Sequence, residues 1–407
     1  MKTCSLAIAA IICSLCLAHP AAAQGKRPGA TFQGFGMIAG GRQSAFGMGV
    51  ADRGRVAVGA AYVGTLTQAF RWTEHGGMAG LGYLPGMNRS TAWDVSANGR
   101  VIVGDCGSNT RFEAFIWTEE TGMVGLGYLP GSSVYSRAYA VSADGRVVVG
   151  YSTGPNQRPV CWTRKTGIVP LGGLPGGSGY GHAYGVSADG SVVVGKSSSG
   201  QGETQAFRWT PDGGMVGLGY LDNLVRQESC AADVSADGAT AIGYCLVMGA
   251  KKSFRWTKQQ GMVDLGDLSD GIRYNEAKAC SADGSVIVGT ASLNWRPNPN
   301  VSSAAYIWTP DEGMRKLQDV LVEDYGLDLG DWLLMIAYNV SPDGRTIVGR
   351  GYNPRNGFEG WIATLPPERP KLHRDRDESW RRYLPPFGGP WSGHPKAGAK
   401  TNGRGSR

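Results

Sequence analysis

A chain of 407 residues with 64 glycines and a formal charge of +7 would by length alone suggest two or three domains. The charge is local: residues 366–407 hold ten Lys/Arg against four Asp/Glu, while residues 24–365 hold 29 of each sign. A neutral body with a basic end argues against a nucleic-acid-binding protein. No apolar run beyond the first residues approaches the ~20 that a membrane helix needs.

In chain order, residues 1–23 read as an export signal. Lys2 supplies the positive start, "SLAIAAIICSLCLA" (5–18) the apolar stretch, and "AAA" (21–23) a small-residue cleavage site between Ala23 and Gln24. A short linker, 24–30, follows. Three of the eight cysteines lie in the signal. The other five, Cys106, Cys161, Cys230, Cys245 and Cys280, are an odd and scattered set, not a disulfide framework.

The body, 31–365, repeats one phrase. "VSADGRVVVG" (141–150) returns as "VSANGRVIVG" (95–104), "VSADGSVVVG" (186–195), "VSADGATAIG" (234–243), "CSADGSVIVG" (280–289) and "VSPDGRTIVG" (340–349), with a weaker copy, "VADRGRVAVG", at 50–59. The unit at 136–176 reads as four strands. "SRAYAVSA" runs into an Asp144-Gly145 hairpin turn, where both residues are expected at positive φ. "RVVVGYS", "RPVCWTRK" and "IVPLGGLPG" follow. Seven third-strand tryptophans, Trp72, Trp117, Trp162, Trp209, Trp256, Trp308 and Trp361, lie 45–53 residues apart. They are expected in the core or as hydrogen-bonding supports. A four-stranded unit of that period predicts a propeller blade; it is too long for a β-helix coil.

The chain ends predict how the ring closes. The last unit stops after its third strand, "FEGWIATL" (358–365), and "FQGFGMIAG" (32–40) aligns with the missing fourth. We therefore expect an all-β, seven-bladed propeller of four-stranded antiparallel blades, its last blade completed by the N-terminal strand. Closure removes the edges that an open array would expose. The remainder, 366–407, is Pro/Gly/Arg-rich and predicts a disordered, solvated tail, open to weak contact with anionic surfaces.

These residues resemble the HAF-repeat family of extracellular repeat proteins. The matching motifs are the "QAFRWT" third strand (68–73, 205–210), the "GM-x-x-LG-x-L-x-G" fourth strand and the "VSADG-x-x-VVG" phrase. The resemblance spans essentially 31–365. It implies export and a propeller-like fold, and it brings neither a defined activity nor catalytic residues.

Antiparallel blades put the Asp-Gly and Thr-Gly turns on one face and the variable loops on the other, where binding usually resides. Three of those loops place a tyrosine two residues before a polar side chain: Tyr135/Arg137, Tyr180/His182 and Tyr274/Glu276. Just before the innermost strands, they would rim the central channel and suit a glycan or peptide, or else pack as ordinary loops. Trp93, Tyr139, Tyr184 and Tyr338, each two residues before a valine, predict packing between blades by strand alternation. The repeated turn aspartates are explained by their turns.

His182 is the single histidine on the variable face, and no nucleophile elbow, P-loop or dinucleotide fingerprint occurs. No cofactor or metal is expected; a carboxylate pair stays open. A two-residue turn at Asp237-Gly238 would set Cys230 opposite Cys245, within reach of a structural disulfide, unless a bulge shifts the register. Two readings follow: a secreted or periplasmic monomer that binds a glycan, peptide or partner protein, or a propeller hydrolase or lyase acting on an extracellular polymer.

Overall fold

The turn of the repeated phrase shows why the phrase repeats. In the third copy the Ser142 hydroxyl donates to Asp144 Oδ1 (2.7 Å), which also accepts the Arg146 N–H, while Ser142 Oγ accepts the Val147 N–H. The turn closes through Gly145 N–H to the Ser142 carbonyl (2.9 Å). Gly145 is at φ +79°, and a Cβ there would lie 2.6 Å from Val101 of the preceding blade. Asp144 does not adopt positive φ, so the turn is a four-residue one and not the two-residue form expected.

Ala143 joins the blades. Its N–H donates to the Ala188 carbonyl of the next blade (3.1 Å), and the same bond runs from Asp52 to Ala97, Ala97 to Ala143, Ala188 to Ala236, Ala236 to Ala282 and Ala282 to Pro342. Six bonds thus tie seven turns into a chain around one end of the molecule. Pro342 has no N–H to pass on, so the chain stops at the junction between the last blade and the first.

In this computed structural model, residues 29–367 are described, apart from 42–43, 132–134, 155, 201, 222–227, 269–273, 293–302 and 356. The expected signal and its Ala23/Gln24 cleavage site lie outside the described residues, as does the tail from 368. The chain divides into two units, Met1–Glu368 and Arg369–Arg407.

The described part of the first unit is a seven-bladed propeller of four-stranded antiparallel sheets. In six blades the strands run outward in chain order; blade three, for example, is Ser136–Val141, Val147–Thr153, Gln157–Thr163 and Gly167–Pro170. The fourth strands are only four residues long. Blade seven takes its outer strand, Thr31–Gly34, from the N-terminal side, pairing Thr31 with Thr364 and Gly34 with Trp361. One short helical segment, Leu317–Asp324, precedes blade seven and buries Leu317, Val320 and Leu321.

The core lies between blades. Val103, Ala114 and Leu129 of blade two pack on Val141, Val148, Val160 and Trp162 of blade three, and Trp162 Nε1–H donates back to the Leu126 carbonyl (3.1 Å). Ser136 spans the same joint: its hydroxyl accepts the Ala114 N–H and donates to the Gly127 carbonyl. Ser90 and Ser229 repeat this at their own joints, and Asn275 takes the role in blade six. Each buried hydroxyl or amide therefore satisfies two backbone groups that a flat packing face would leave unpaired.

The disulfide expectation is corrected. Next to the turn the register is as expected, Val234 facing Ala241, but the strand bulges after Ala231. Beyond the bulge Cys230 faces Tyr244 and Cys245 faces Ser229, so the two side chains leave opposite faces of the hairpin. All five cysteines of the described residues are thiols.

Closure rests on few side chains. Phe35, directly after the N-terminal strand, is buried with ring centroids 5.6 Å from Phe70 and 5.4 Å from Trp72 of blade one. Phe35→Ala is expected to lower the unfolding free energy by about 3–5 kcal/mol, and deletion of residues 24–41 by more, both read by chemical denaturation. An unchanged midpoint for the deletion would show that the ring holds without its seam.

Candidate functional site

The first strand of every blade carries a register shift, between Ala138 and Ala140 in blade three and between Ala183 and Gly185 in blade four. Such a bulge leaves one residue out of the ladder and re-aims it. The residues so released include Met48, Trp93, Tyr139, Tyr184 and Lys278, and with Tyr338 they line a central cavity of about 670 Å³. This corrects the expectation that Trp93, Tyr139, Tyr184 and Tyr338 pack between blades: strand alternation does not carry across a bulge. The rings form a run, with Trp93 5.6 Å from Tyr139 and Tyr139 5.0 Å from Tyr184.

Toward the variable loops lies a charged layer. Arg137, His182 and Glu276 occupy one register position in three blades, facing Tyr151, Lys196 and Thr290 of their second strands. Arg137 Nε lies 3.5 Å from the buried Asp105 carboxylate, which also accepts the Trp93 indole N–H. The Arg137 guanidinium sits 5.1 Å from the Phe112 ring centre, and Tyr135 stacks on the same ring at 6.0 Å.

His182 stacks on Tyr151 at 4.4 Å, with Tyr180 5.6 Å away. Its Nε2 is 2.8 Å from Gln157 Oε1 and its Nδ1 2.9 Å from the Tyr184 hydroxyl. An amide oxygen only accepts, so Nε2 carries the proton and Nδ1 accepts from the phenol. Burial, with Lys196 and Arg137 nearby, lowers the imidazole to about 4, so it is neutral at physiological pH. Both ring nitrogens are engaged, which makes His182 a spacer between aromatic rings and not a poised base.

Glu276 stands between two ammoniums, Lys278 (2.6 Å) and Lys251 (2.9 Å). Burial alone would raise its carboxyl, but the two cations hold it at about 2. Lys251 also lies 4.0 Å from the Tyr244 ring centre, and Tyr244 donates its hydroxyl to Glu228, which pairs with Lys196 at 3.3 Å. Of the six expected residues, Arg137 and Tyr135 meet on the Phe112 ring, and Tyr180 lies against His182. Glu276 belongs to the lysine pair instead, and Tyr274 starts its strand opposite Ser292.

Sequence reasoning missed Asp105, Lys196, Tyr244 and Arg350. A signal existed: each is the residue directly after "VG" or "IG" in a copy of the phrase, a position that varies from copy to copy. It also missed Asp94 and Asp233, which line the cavity. Each accepts a backbone N–H from the next blade, Val141 at 2.9 Å and Cys280 at 3.0 Å. Burial outweighs those bonds and raises Asp94 to about 7 and Asp233 to about 6.

Among the described residues no three His, Cys, Asp or Glu side chains gather to hold a metal, and no helix is long and apolar enough to cross a membrane. No family model matches the chain, and no curated protein matches it in sequence. Among solved structures it is similar to an oligogalacturonate lyase from Vibrio parahaemolyticus, at 11% identity and a TM-score of 0.54, over 83% of this chain and 97% of that one. It is also similar to a prolyl endopeptidase, at 11% identity and a TM-score of 0.51, over 80% of this chain and 51% of that one, so it spans about half of that protein. At such identities the likeness shows the propeller fold alone.

The raised carboxyls predict a pH dependence. The native state binds their protons more tightly than the unfolded chain does, so their ionisation costs stability as pH rises from about 4 to about 7. Asp94→Asn with Asp233→Asn keeps an acceptor for each N–H and removes the charge. Denaturation at pH 5 and pH 7.5 should show this double variant losing less stability between the two than the parent; equal losses would refute the assignment.

Proposed function

We propose that the chain is an exported, monomeric propeller that binds a ligand at the channel mouth on its variable-loop face. The observation that carries this reading is the central cavity of about 670 Å³, which runs from the alanines of the Asp-Gly turns to the aromatic rings and is also lined by Tyr244, Glu276 and Lys278 of the charged layer. Ring faces bury apolar area while phenol and charged groups orient what lies on them, as in small-ligand sites. The resemblance to extracellular repeats supports export to the periplasm or the medium. A glycan, a peptide or an exposed segment of a partner protein all fit this chemistry; a neutral body gives nucleic acid no field to follow.

A second reading, a hydrolase or lyase acting on an extracellular polymer, draws on one observation. Asp94 and Asp233 line the same cavity with carboxyls raised to about 7 and about 6, within the range of general acid/base groups. Against it, each carboxylate is bonded to a backbone N–H that it holds in place.

Glycan and peptide arrays probed with the full chain test the first reading, followed by titration of the hits. Tyr139→Ala or Tyr184→Ala should weaken binding about tenfold or more, as loss of a buried aromatic anchor does, while the bound molecule is recovered intact. Turnover that disappears in Asp94→Asn would favour the second reading. A folded protein that retains no member of either array would refute the first.

A further inference from the structure

Among the described residues, one cation of the charged layer has no carboxylate beside it. Arg137 has Asp105 at 3.5 Å, Lys196 has Glu228 at 3.3 Å, and Lys251 and Lys278 share Glu276 at 2.9 and 2.6 Å. Arg350 holds the matching second-strand position in blade seven, opposite Ile336, and among the described residues no carboxylate pairs with it. Its guanidinium carbon lies 4.3 Å from the Phe46 ring centre and 4.4 Å from that of Phe358. Its Nε is buried without a hydrogen-bond partner. The rings attract the charge through their faces but offer no lone pair to its N–H groups. Burial holds the guanidinium below its usual range, with Tyr338 and Tyr62 nearby. A half-buried cation without a carboxylate, beside the cavity-lining Tyr338, costs stability that an arriving anion would restore.

We infer that Arg350 forms an anion subsite at the channel mouth and takes the carboxylate of an acidic saccharide. The inference rests on the channel being a binding site and names the class of its ligand. A carboxylate fits because one planar guanidinium binds it through two parallel N–H bonds with matching charge. A sugar fits the surroundings because a pyranose offers C–H faces to rings and hydroxyls to phenols within one unit. Phe46, Phe358 and Tyr338 supply the rings and the phenol. A peptide would set amide groups against ring faces, where they stay unpaired.

The test is titration of the full chain with an oligosaccharide of alternating glucuronate and N-acetylglucosamine, with its carboxyl-reduced neutral counterpart, and with an acetylated peptide ending in a free carboxylate. The acidic sugar should bind about tenfold or more tighter than the reduced one, a step the size of one charge-assisted pair. Arg350→Met should erase that difference and Arg350→Lys should keep part of it. In the unaltered protein, added salt should weaken binding of the acidic sugar alone, which keeps the test valid if a variant fails to fold.

Equal affinity for the two sugars, still lost in Tyr184→Ala, overturns the Arg350 subsite and leaves the channel reading standing. Acid-selective binding that Tyr184→Ala does not touch supports the subsite and removes the aromatic run from the ligand's path. Binding of the peptide alone overturns the saccharide assignment, and so does the absence of binding to all three.

Discussion

The blade-to-blade hydrogen bond from the alanine of one "VSADG" turn to the next is the constraint around which the molecule is arranged. A single four-stranded blade cannot bury both of its faces, so its stability resides in its neighbours. The bond fixes the angle and spacing at which each neighbour arrives. Everything around Ala143 serves it: Ser142 and Asp144 close the turn, and Gly145 lets Val101 of the previous blade approach to a distance no Cβ would allow. A phrase whose every residue has a task at the joint has little room to vary between copies.

The seam shows what happens where the device is interrupted. Pro342 ends the chain of turn bonds, and the junction between the last blade and the first relies on other contacts. The N-terminal strand pairs along Gly357–Thr364, Phe35 fills the gap toward Phe70 and Trp72, and Glu359 takes over the satisfying role played elsewhere by serine. Its carboxylate accepts the Gly36 N–H (3.2 Å) and an amide hydrogen of Asn353 (2.8 Å). Two chain segments far apart in sequence are thereby locked together, and the last blade gains the fourth strand that the other six have.

The same repeat that forces uniformity at the joints permits divergence at two positions. One is the bulged residue of the first strand, which reads Met48, Trp93, Tyr139, Tyr184, Ala232, Lys278 and Tyr338 around the ring. The other follows the valine-glycine of the second strand and supplies Asp105, Lys196 and Arg350 to the charged layer. The bulged residue is out of the ladder, and the second position pairs through its backbone alone, so neither side chain is dictated by the joint. Asp94 and Asp233 are exceptions of another kind, carboxylates serving as inter-blade clamps in a channel wall, at the expense of stability near neutral pH.

Much of this was legible in the residues alone. The repeat phrase, the spacing of Trp72 to Trp361 and the alignment of residues 32–40 with a missing fourth strand determine seven blades and the strand that closes them, because local turn chemistry and hydrophobic alternation act over a few residues. The identity of Arg137, His182 and Glu276 as one tier was also readable, from their common offset to the phrase. What only the tertiary structure decided lies beyond the bulge. One unpaired residue shifts the register by one, so Cys230 and Cys245 part and Trp93, Tyr139, Tyr184 and Tyr338 turn from the joint to the channel. Likewise, which charges are balanced and which are not depends on neighbours brought in from 30 or more residues away, as Glu228 is to Lys196 and Phe46 is to Arg350. Strand alternation is a rule about an unbroken ladder, and charge balance is a property of space; neither is written in the order of the residues.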